Sequence, residues 1–511
     1  MNIAGLLSDG SARAGGRPAL VQGSRVLSYR ELGDRVARLA AGLARLGLRR
    51  GDRVVLLMPN RPELVESLWA AFHGGFVAVP VNWHLHPDEV GYIVRHCGAA
   101  AVVVSDETAA VTPALPAGAR VLRVARANAS DTGGDTRDRD NTGLRDTGLD
   151  YEDVLAPEPS PAAGTAADDP AWLFYTSGTT GRPKGATLTH RNLAAMTEAY
   201  LRDLDPVADG SVYLHAAPLT HGSGLYLLPS TARGATQVIA PGTSFSARGF
   251  VALIEEHRVT HAAFLAPTML RRVVEEARGR THPSLRSVVV GGAPLYQEDL
   301  RAAVGVLGPI VTQMYGQGEA PMTITVMPAS EALDHPGSCG RAFRGVEVRV
   351  AGPDGEPVPD GTGGEVLVRG DVVMRGYWDN PGATAATLAG GWLHTGDIGH
   401  LDAGYLHLTD RAKDVIITGG SNVYPREVEE VLLTHPAVRE VAVVGVPDPE
   451  WGESVRAFVV AAGEPDPGEL IQYCRGRLAS FKKPREVILV AELPKNAAGK
   501  ILKRELRQLP S

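Results

Sequence analysis

The stretch YTSGTTGRPKG, residues 175–185, combines glycines, hydroxyl side chains and a single lysine, Lys184. Glycines let backbone N–H groups approach an anion, hydroxyls donate hydrogen bonds, and a lysine adds positive charge. The stretch follows the apolar run AWLFY, a predicted strand, and precedes ATLTHRNL, which we expect to lead into a helix. It is not a Walker A loop, because Lys184 is followed by glycine at a different spacing. The pattern predicts a phosphate-binding loop, with a glycine-rich surface turn as the alternative.

Five further motifs follow the glycine loop in order: GGAP, YGQGE, HTGDIG, DRAKDVIITGGSNVYPREVE and PKNAAGK. With the loop they span nearly the whole chain and resemble the signature motifs of the adenylate-forming (AMP-binding) superfamily, in its acyl-CoA synthetase/ligase branch. The resemblance implies a reaction in two halves. A carboxylate attacks the α-phosphate of ATP to give an acyl-adenylate, and a thiol, usually that of coenzyme A, then displaces AMP. It also implies ATP, Mg²⁺ and coenzyme A as cofactors.

The resemblance assigns the nucleotide-binding residues by position. Glu319 and Thr176 are expected to hold Mg²⁺, since a hard cation prefers oxygen ligands. The tyrosine of YGQGE is expected to stack on the adenine, and Asp397 and Arg411 to hydrogen-bond the ribose. The full ATP/AMP set is Thr176, Ser177, Gly178, Thr179, Thr180, Lys184, Gly292, Ala293, Pro294, Tyr315, Gly316, Asp397, Arg411 and Lys500.

The catalytic set implied by the resemblance is Lys500, Glu319, Lys184 and His221. Lys500 lies in a loop of small residues near the C-terminus, and a flexible, strongly charged point donor suits the bridging of carboxylate and α-phosphate. In the family the C-terminal domain rotates between the half-reactions. The hinge is therefore expected at Lys413, because a hinge is a few residues that absorb a large φ/ψ change. The segment expected on the coenzyme A side contains Gly419, Gly420 and Trp451.

The acyl pocket is expected at His221, Gly222, Gly224, Met314, Gly318 and Met322. No aspartate that would grip an α-amino group lies between Ala216 and Gly224, and no lysine or arginine is placed to receive a second carboxylate. This pattern favours an apolar monocarboxylic acid, whether fatty, aryl or ring-containing, and the glycines are interpreted as leaving space for it. The family usually has threonine where this chain has Gly318, so Gly318→Thr is expected to leave adenylation intact or to improve it.

The elements that must position these residues alternate helix and strand in the first half of the chain. Ser28 and Glu31 predict a helix capping box, and short valine-rich runs between helices predict a largely parallel sheet. The predicted fold class is α/β, with a large N-terminal domain of mixed, largely parallel sheets and flanking helices, and a small mobile α+β C-terminal domain. The expected bounds are 1–410 and 411–511, with a flexible, Asp/Thr-rich loop at about 127–150.

Composition narrows the class of protein further. The formal net charge is −7 and no block of Lys/Arg stands out, so a nucleic-acid surface is not expected. Three widely spaced cysteines fit a reducing cytoplasm and show no metal-ligand spacing. No apolar run reaches the roughly 20 residues of a membrane span. A homodimer is left open.

Three other functions remain as alternatives at this stage. A stand-alone adenylation enzyme that loads a carrier protein differs from the ligase in its thiol acceptor. The compact stretch from Gly337 to Tyr377 has no room for the insertion of fatty acyl-AMP ligases, which favours coenzyme A. A non-catalytic nucleotide-binding scaffold is disfavoured by the intact lysines and carboxylates. A luciferase-like monooxygenase would consume oxygen.

Overall fold

The computed structural model describes residues 2–108, 119–125, 148–176, 182–205, 207–411, 414–418, 421–495 and 501–509, with the backbone alone given at 410, 411, 421 and 422. The predicted Asp/Thr-rich loop lies outside the described residues except at its C-terminal end.

The strands form several sheets. In chain order they are β1 (Pro18–Gln22), β2 (Arg25–Ser28), β3 (Arg53–Leu57), β4 (Val77–Pro80), β5 (Ala99–Ser105), β6 (Arg120–Val124), β7 (Leu149–Asp150), β8 (Pro170–Thr176), β9 (Lys184–Thr189), β10 (Val212–His215), β11 (Thr236–Ile239), β12 (His261–Leu265), β13 (Ser287–Val290), β14 (Val311–Tyr315), β15 (Thr325–Met327), β16 (Arg341–Ala342), β17 (Glu347–Ala351), β18 (Gly364–Arg369), β19 (Gly376–Tyr377), β20 (Leu393–Asp402), β21 (Tyr405–Arg411), β22 (Ile416–Thr418), β23 (Ser421–Val423), β24 (Val438–Asp448), β25 (Gly452–Ala461) and β26 (Glu486–Leu489).

Helices connect most of these strands. In chain order they are α1 (Gly5–Ala14), α2 (Tyr29–Arg45), α3 (Pro62–His73), α4 (Pro87–His96), α5 (Tyr151–Val154), α6 (His190–Ala199), α7 (Gly222–Leu225), α8 (Leu227–Ala232), α9 (Ala247–His257), α10 (Pro267–Ala277), α11 (Gln297–Leu307), α12 (Pro381–Thr387), α13 (Pro425–Leu433), α14 (Pro467–Arg475) and α15 (Lys503–Leu506), with a π-helical turn at Tyr200–Leu204 and a 3₁₀ turn at Ala389–Gly391. Among the described residues, none of these helices combines the length and apolar character required to cross a bilayer.

Two large sheets carry the first part of the chain. One has the spatial order β19-β9-β8-β4-β3-β5-β6-β7, and its strands from β8 to β7 are parallel. The other has the order β16-β15-β14-β13-β12-β10-β11-β1-β2, with parallel pairing from β14 to β1. The central strands are apolar and buried because helices cover both faces of a parallel sheet. The C-terminal ends of β10, β12, β13 and β14 therefore lie along one edge.

Two smaller sheets follow. The order β17-β18-β20-β21 is an antiparallel sheet. The order β23-β22-β25-β24, with β26 parallel to β25, packs with α13 and α14 into a separate apolar cluster at the C-terminal end. The predicted class, a large α/β region of mixed sheets followed by a smaller α+β region, is confirmed.

Two local expectations are confirmed, and the structure adds one strand between them. The Ser28–Glu31 capping box is present at the start of α2. The stretch ATLTHRNL leads into α6, which begins at His190 with Thr189 as its N-cap. The sequence did not predict that ATLT first completes β9, antiparallel to β8, with Thr176 paired to Lys184. The segment ATLT is fully buried in the sheet, and its threonines fit a pleated, buried strand better than a helix.

Candidate active site

The parallel strands of the nine-stranded sheet deliver most of the predicted site residues. His221 follows β10, Gly292 follows β13, and Tyr315 ends β14. Neighbouring parallel strands end on the same edge of a sheet, which is where ligands bind in open α/β folds. Residues 316–324 then loop from β14 to β15 and carry Gly316, Gly318, Glu319 and Met322.

The glycine loop approaches this edge from the eight-stranded sheet. Thr176 ends β8 and Lys184 begins β9, so the two predicted phosphate-binding side chains flank the loop on paired strands. The Nζ of Lys184 lies 5.2 Å from the centre of the Tyr377 ring. The other predicted loop residues, Ser177 to Thr180, fall outside the described residues.

Glu319 is the centre of an oxygen-rich cluster. Its Oε1 accepts hydrogen bonds from Thr176 Oγ1 at 3.2 Å and from the Tyr377 hydroxyl at 2.7 Å. The side chain is buried, and burial together with the carboxylate charge raises the pKa of Tyr377. A carboxylate and a threonine hydroxyl are oxygen donors of the kind that Mg²⁺ prefers, so this donor set fits the predicted metal. In the described part of the chain, no group of three His, Cys, Asp or Glu side chains forms a preassembled metal cage.

Asp397, on β20 of the four-stranded sheet, contacts the residues at the end of β14. Its Oδ2 accepts a hydrogen bond from the Tyr315 hydroxyl at 2.6 Å and another from Gln317 Nε2 at 2.6 Å. Burial and the neighbouring carboxylate raise the pKa of Tyr315, which keeps that hydroxyl a donor. Arg411 pairs with Asp397 across β20 and β21. The predicted base-stacking and ribose-binding residues are therefore brought together.

The predicted adenine turn after β13 is open to solvent. Gly292 has φ +80°, a conformation that favours glycine, and it is exposed, as is Pro294, while Ala293 is half-buried. A Cβ on Gly292 would also lie 3.0 Å from Phe264 Cζ. The turn thus combines backbone groups accessible to a base with a close contact to an aromatic ring.

The glycines of the predicted acyl pocket do not leave empty space, and that expectation is wrong. A Cβ on Gly224 would lie 1.9 Å from Leu219 O, and one on Gly222 would lie 3.2 Å from Phe264 Cε2. At Gly318 the nearest atoms would be Thr176 Cγ2 at 2.5 Å and Phe174 Cδ1 at 2.7 Å. Rings and backbone fill these gaps, so the missing Cβ atoms permit close packing. A threonine at position 318 would meet these same atoms, so the packing opposes the expectation that Gly318→Thr leaves adenylation intact or improves it.

His221 lies at the junction of the predicted acyl and nucleotide regions. Burial lowers its pKa to about 4, so the imidazole is neutral at physiological pH. The ring meets Phe174 edge-on at 6.2 Å between centroids, and Nδ1 lies 3.1 Å from Thr220 Oγ1. A neutral, packed imidazole fits a positioning role better than that of a proton donor at neutral pH.

The C-terminal candidates are only partly described. Lys413, Gly419, Gly420 and Lys500 lie outside the described residues. Lys495 and Ile501, on either side of the predicted catalytic segment, pair as an antiparallel bridge. Trp451 is 39% exposed, with the Arg485 guanidinium 5.0 Å from its ring centre.

A cleft of 1680 Å³ separates the large sheets from the C-terminal region. Its walls include Asn60, Thr220, Phe245 and Arg272 on one side and Arg439 on the other. Thr220 precedes His221, so the cleft reaches the predicted acyl region.

Sequence reasoning named neither Phe174 nor Tyr377 for this site, and it placed Phe264 and Gln317 only within longer stretches expected to line the acyl pocket, Phe264–Met269 and Met314–Ile324. Gln317 lies inside the YGQGE motif, and a polar side chain within that motif could have indicated a site residue. Tyr377 belongs to the run RGYWDN, whose aromatic residues between polar ones were another such indication. Phe174 has the sequence context of an ordinary strand residue, and nothing in its local sequence distinguishes it.

The chain also matches known proteins along its length. The model for the AMP-binding enzyme family matches residues 7–378, and that for the AMP-binding enzyme C-terminal domain matches residues 427–500. A feruloyl-CoA synthase from Amycolatopsis sp is 40% identical over 497 residues, covering 96% of this chain and 95% of that protein. The fatty acid–[acyl-carrier-protein] ligase ScoC of Streptomyces coeruleorubidus is 36% identical, covering 96% of this chain and 93% of that protein.

A solved structure extends the likeness to three dimensions. The anthranilate CoA ligase AuaEII in complex with anthranoyl-AMP superimposes with a TM-score of 0.88 at 27% identity, covering 99% of this chain and 96% of that chain. The chain belongs to the AMP-binding enzyme family, the adenylate-forming superfamily indicated by its six ordered motifs.

Proposed function

We propose that this chain is an ATP- and Mg²⁺-dependent carboxylic acid–CoA ligase that activates an apolar monocarboxylic acid. The observation that carries the proposal is the adjacency of two groups. One is the Thr176–Glu319–Tyr377 cluster beside Lys184, which suits phosphates and a cation. The other is the Tyr315–Asp397–Gln317 group, which suits a nucleoside.

In the first half-reaction, a substrate carboxylate oxygen attacks the α-phosphorus of ATP. A P–O bond forms, the bond to the β-phosphate oxygen breaks, and pyrophosphate leaves. The barrier is electrostatic, because an anion approaches a polyanion, so fixed positive charge and hydrogen-bond donors are the main source of catalysis. Mg²⁺, held by Glu319 and Thr176, would neutralise phosphate charge.

The chain's own residues bind the phosphates, the ribose, the adenine and the acyl group. Lys184 and the glycine loop, Thr176 to Thr180, bind the outer phosphates, and Lys500 bridges the carboxylate and the α-phosphate. Asp397 and Arg411 hold the ribose, and Tyr315 with Gly292, Ala293, Pro294 and Gly316 receives the adenine. His221 separates the nucleotide from the acyl group as a neutral ring.

In the second half-reaction, the sulfur of coenzyme A attacks the acyl carbon of the adenylate. A C–S bond forms, the C–O bond to AMP breaks, and the thiol proton passes to solvent. The cleft beside Thr220 is wide enough to admit a thiol-bearing arm. Trp451, exposed on the C-terminal region, is assigned to the coenzyme A side by the family resemblance.

The division into regions 1–410 and 411–511 is part of this proposal, with Lys413 as the hinge and Gly419 and Gly420 facing the acyl-adenylate in the second half. It is supported by the separate apolar cluster of the C-terminal sheet. A cytoplasmic location is supported by three cysteines that are buried and unpaired, Cys97, Cys339 and Cys474.

A second candidate is a stand-alone enzyme that transfers the acyl group to a carrier protein. The observation that favours it is the similarity to ScoC, whose name specifies a carrier-protein acceptor. A carrier protein would present the same thiol-bearing arm through the same cleft, so the two candidates differ only in what holds the thiol.

The test is pyrophosphate release with ATP and Mg²⁺ across fatty, benzoic, cinnamic and polycyclic acids, with and without coenzyme A. The proposal predicts release that requires Mg²⁺, is stimulated by coenzyme A and is lost in Lys500→Ala. Lys482→Ala is the matched control, because this lysine of the C-terminal region pairs with Glu427 at 2.7 Å and does not line the cleft. Acyl-AMP that accumulates regardless of coenzyme A would support the carrier-protein candidate, and no release from any acid would contradict both.

A further inference from the structure

Phe264 has a backbone conformation that aromatic side chains rarely adopt. Its φ is +53°, in the left-handed region where a side chain on Cβ is strained. The residue lies in a bulge of β12, since three steps along β12, from Ala262 to Leu265, oppose two steps along β13. Bulges beside active sites re-aim side chains, and strain of this kind persists where the surrounding structure enforces it.

Two glycines leave room for the Phe264 ring because they have no Cβ. A Cβ on Gly222 would lie 3.2 Å from Phe264 Cε2 and Cζ, and one on Gly292 would lie 3.0 Å from Cζ. Both distances are tighter than ordinary van der Waals contact. Gly222 follows His221, and Gly292 forms the predicted adenine turn. The ring is therefore wedged between the loop that follows His221 and the predicted adenine turn.

A second strained residue completes the same wall. Met322 has φ +56°, and its Sδ would lie 3.3 Å from a Cβ on Gly222. Behind Phe264 lies the fully buried ring of Tyr226, at 6.2 Å between centroids. The space that a long chain would need beyond Phe264 is thus occupied by packed side chains.

The side chains of this wall suit contact with a flat ring. The wall consists of the Phe264 ring, the Met322 thioether and the His221–Phe174 pair, with no charged side chain among them. Aromatic faces favour offset or edge contacts with another ring, and a thioether sulfur contacts ring edges favourably and adapts to their shape.

We propose that Phe264 is the end wall of the acyl site and determines specificity, so that the site takes a compact aryl monocarboxylic acid of the benzoate or cinnamate type rather than a long-chain fatty acid. The inference rests on the proposed function and adds the substrate class to it. Phe264 contacts substrate as a wall and takes no part in the chemistry.

The experiment compares kcat/KM for benzoate, cinnamate, hexanoate, decanoate and palmitate in the wild type, Phe264→Gly and Phe264→Leu. Glycine adopts a positive φ without strain, so Phe264→Gly removes the ring without opposing the backbone. Phe264→Leu keeps an apolar side chain and serves if the glycine variant fails to fold. Phe76→Leu is the control, because it truncates a buried ring that packs against Gly74, outside the proposed acyl site.

The wild type is expected to prefer the better aryl acid over palmitate by about tenfold or more, the range that pocket fit supplies. Phe264→Gly is expected to erode that ratio by about tenfold, and Phe76→Leu to leave it unchanged. A wild type that uses palmitate as well as the aryl acids, or a ratio that ignores both Phe264 variants, would overturn the inference while leaving the ligase intact. Absence of pyrophosphate release with every acid would instead refute the proposed function, and this inference with it.

Discussion

At the scale of single residues, the site depends on close approach. Thr176 and Glu319 come within hydrogen-bond distance because Gly318, between Gln317 and Glu319, has no side chain to hold the loop away from β8. The Phe174 ring lies in the position that a Cβ on Gly318 would crowd. The family usually has a threonine at position 318. In this chain the Phe174 ring packs against Gly318, where the threonine side chain would lie.

Gly318→Thr is expected to reduce adenylation at least about tenfold and to lower the free energy of unfolding by about 1–3 kcal/mol, the usual cost of overpacking. The reason is the 2.5 Å and 2.7 Å approaches of a new Cβ to Thr176 and Phe174. The measurements are pyrophosphate release and urea unfolding.

Gly305→Ala is the control for that substitution, since a Cβ there on α11 meets nothing within 4 Å. Combining Gly318→Thr with Phe174→Leu should restore part of the loss, because the two side chains compete for one space. Full activity in the single Gly318→Thr variant would show that the loop shifts without cost.

At the scale of elements, the parallel strands need helices that hold them in register, and α3 does so partly through buried charge. Glu66, 1% exposed, lies 3.0 Å from an Arg35 nitrogen and 3.1 Å from an Arg25 nitrogen, and accepts a hydrogen bond from the Tyr151 hydroxyl at 3.2 Å. Burial raises the pKa of this carboxyl, against the opposing effect of the arginines. The network ties α3 to β2, α2 and α5.

Glu66→Leu is expected to lower the free energy of unfolding by about 1–3 kcal/mol, because it takes a buried acceptor from the Tyr151 hydroxyl. Arg25 and Arg35 keep their pairs with Glu63 and Glu152, which limits the loss. Thermal or urea unfolding measures the change. Arg301→Ala is the control, since its pair with Glu298 on α11 is more than half exposed at both side chains and should contribute under about 1 kcal/mol. Equal effects from the two substitutions would contradict a special role for the buried network.

At the scale of the whole molecule, the C-terminal region touches the rest of the chain through polar contacts. The Tyr296 hydroxyl donates to Glu429 Oε2 at 2.8 Å, and Arg271 donates to the Arg439 carbonyl at 3.0 Å. Glu429 also pairs with Lys503 at 2.9 Å, three residues beyond Lys500. A contact near the adenine turn is thus connected to the segment of the proposed catalytic lysine.

Tyr296→Phe is expected to change the ratio of acyl-AMP formation to thioester formation about threefold or more, because one hydrogen bond to a charged group contributes about 1.5–3 kcal/mol to the arrangement it stabilises. Single-turnover measurements of the two half-reactions give the ratio. Tyr473→Phe is the matched control, since its hydroxyl bonds Thr434 within the C-terminal region. An unchanged ratio in Tyr296→Phe would mean that this contact does not bias the conformations.

The stability of the molecule should fall on acidification. Burial lowers the pKa of His190, His215 and His221 to about 4 from the ordinary 6.5. Between those values the unfolded chain binds more protons than the folded one, so the free energy of unfolding decreases as pH falls through this window. Each histidine contributes up to about 2 kcal/mol by about pH 4.5, and the raised pKa of Glu66 opposes part of this.

Urea unfolding at about pH 7 and about pH 4.5 measures the loss of stability. His215→Gln should flatten the pH dependence, since the amide does not titrate. A pH dependence that is the same in this variant and in the wild type would show that His215 is not protonated on unfolding.

The sequence alone determined the family, the order of the motifs and the α/β class, because these rest on local signals. Glycines, capping residues and runs of valine act within a few residues of themselves, and the Ser28–Glu31 cap and the strand ending at Thr176 follow from them. The assignment of Tyr315, Glu319 and Asp397 to one site came from resemblance, and their hydrogen bonds agree with a shared site.

Only the tertiary structure decided what the glycines do. Whether a missing side chain leaves a void or admits a neighbour depends on residues distant in the chain: Phe264 for Gly222 and Gly292, Phe174 for Gly318, and Leu219 for Gly224. Likewise, β9 forms ahead of α6 because β8 and β19 pair with it on either side. Packing against distant segments overrides local preference, and no local pattern in the sequence encodes it.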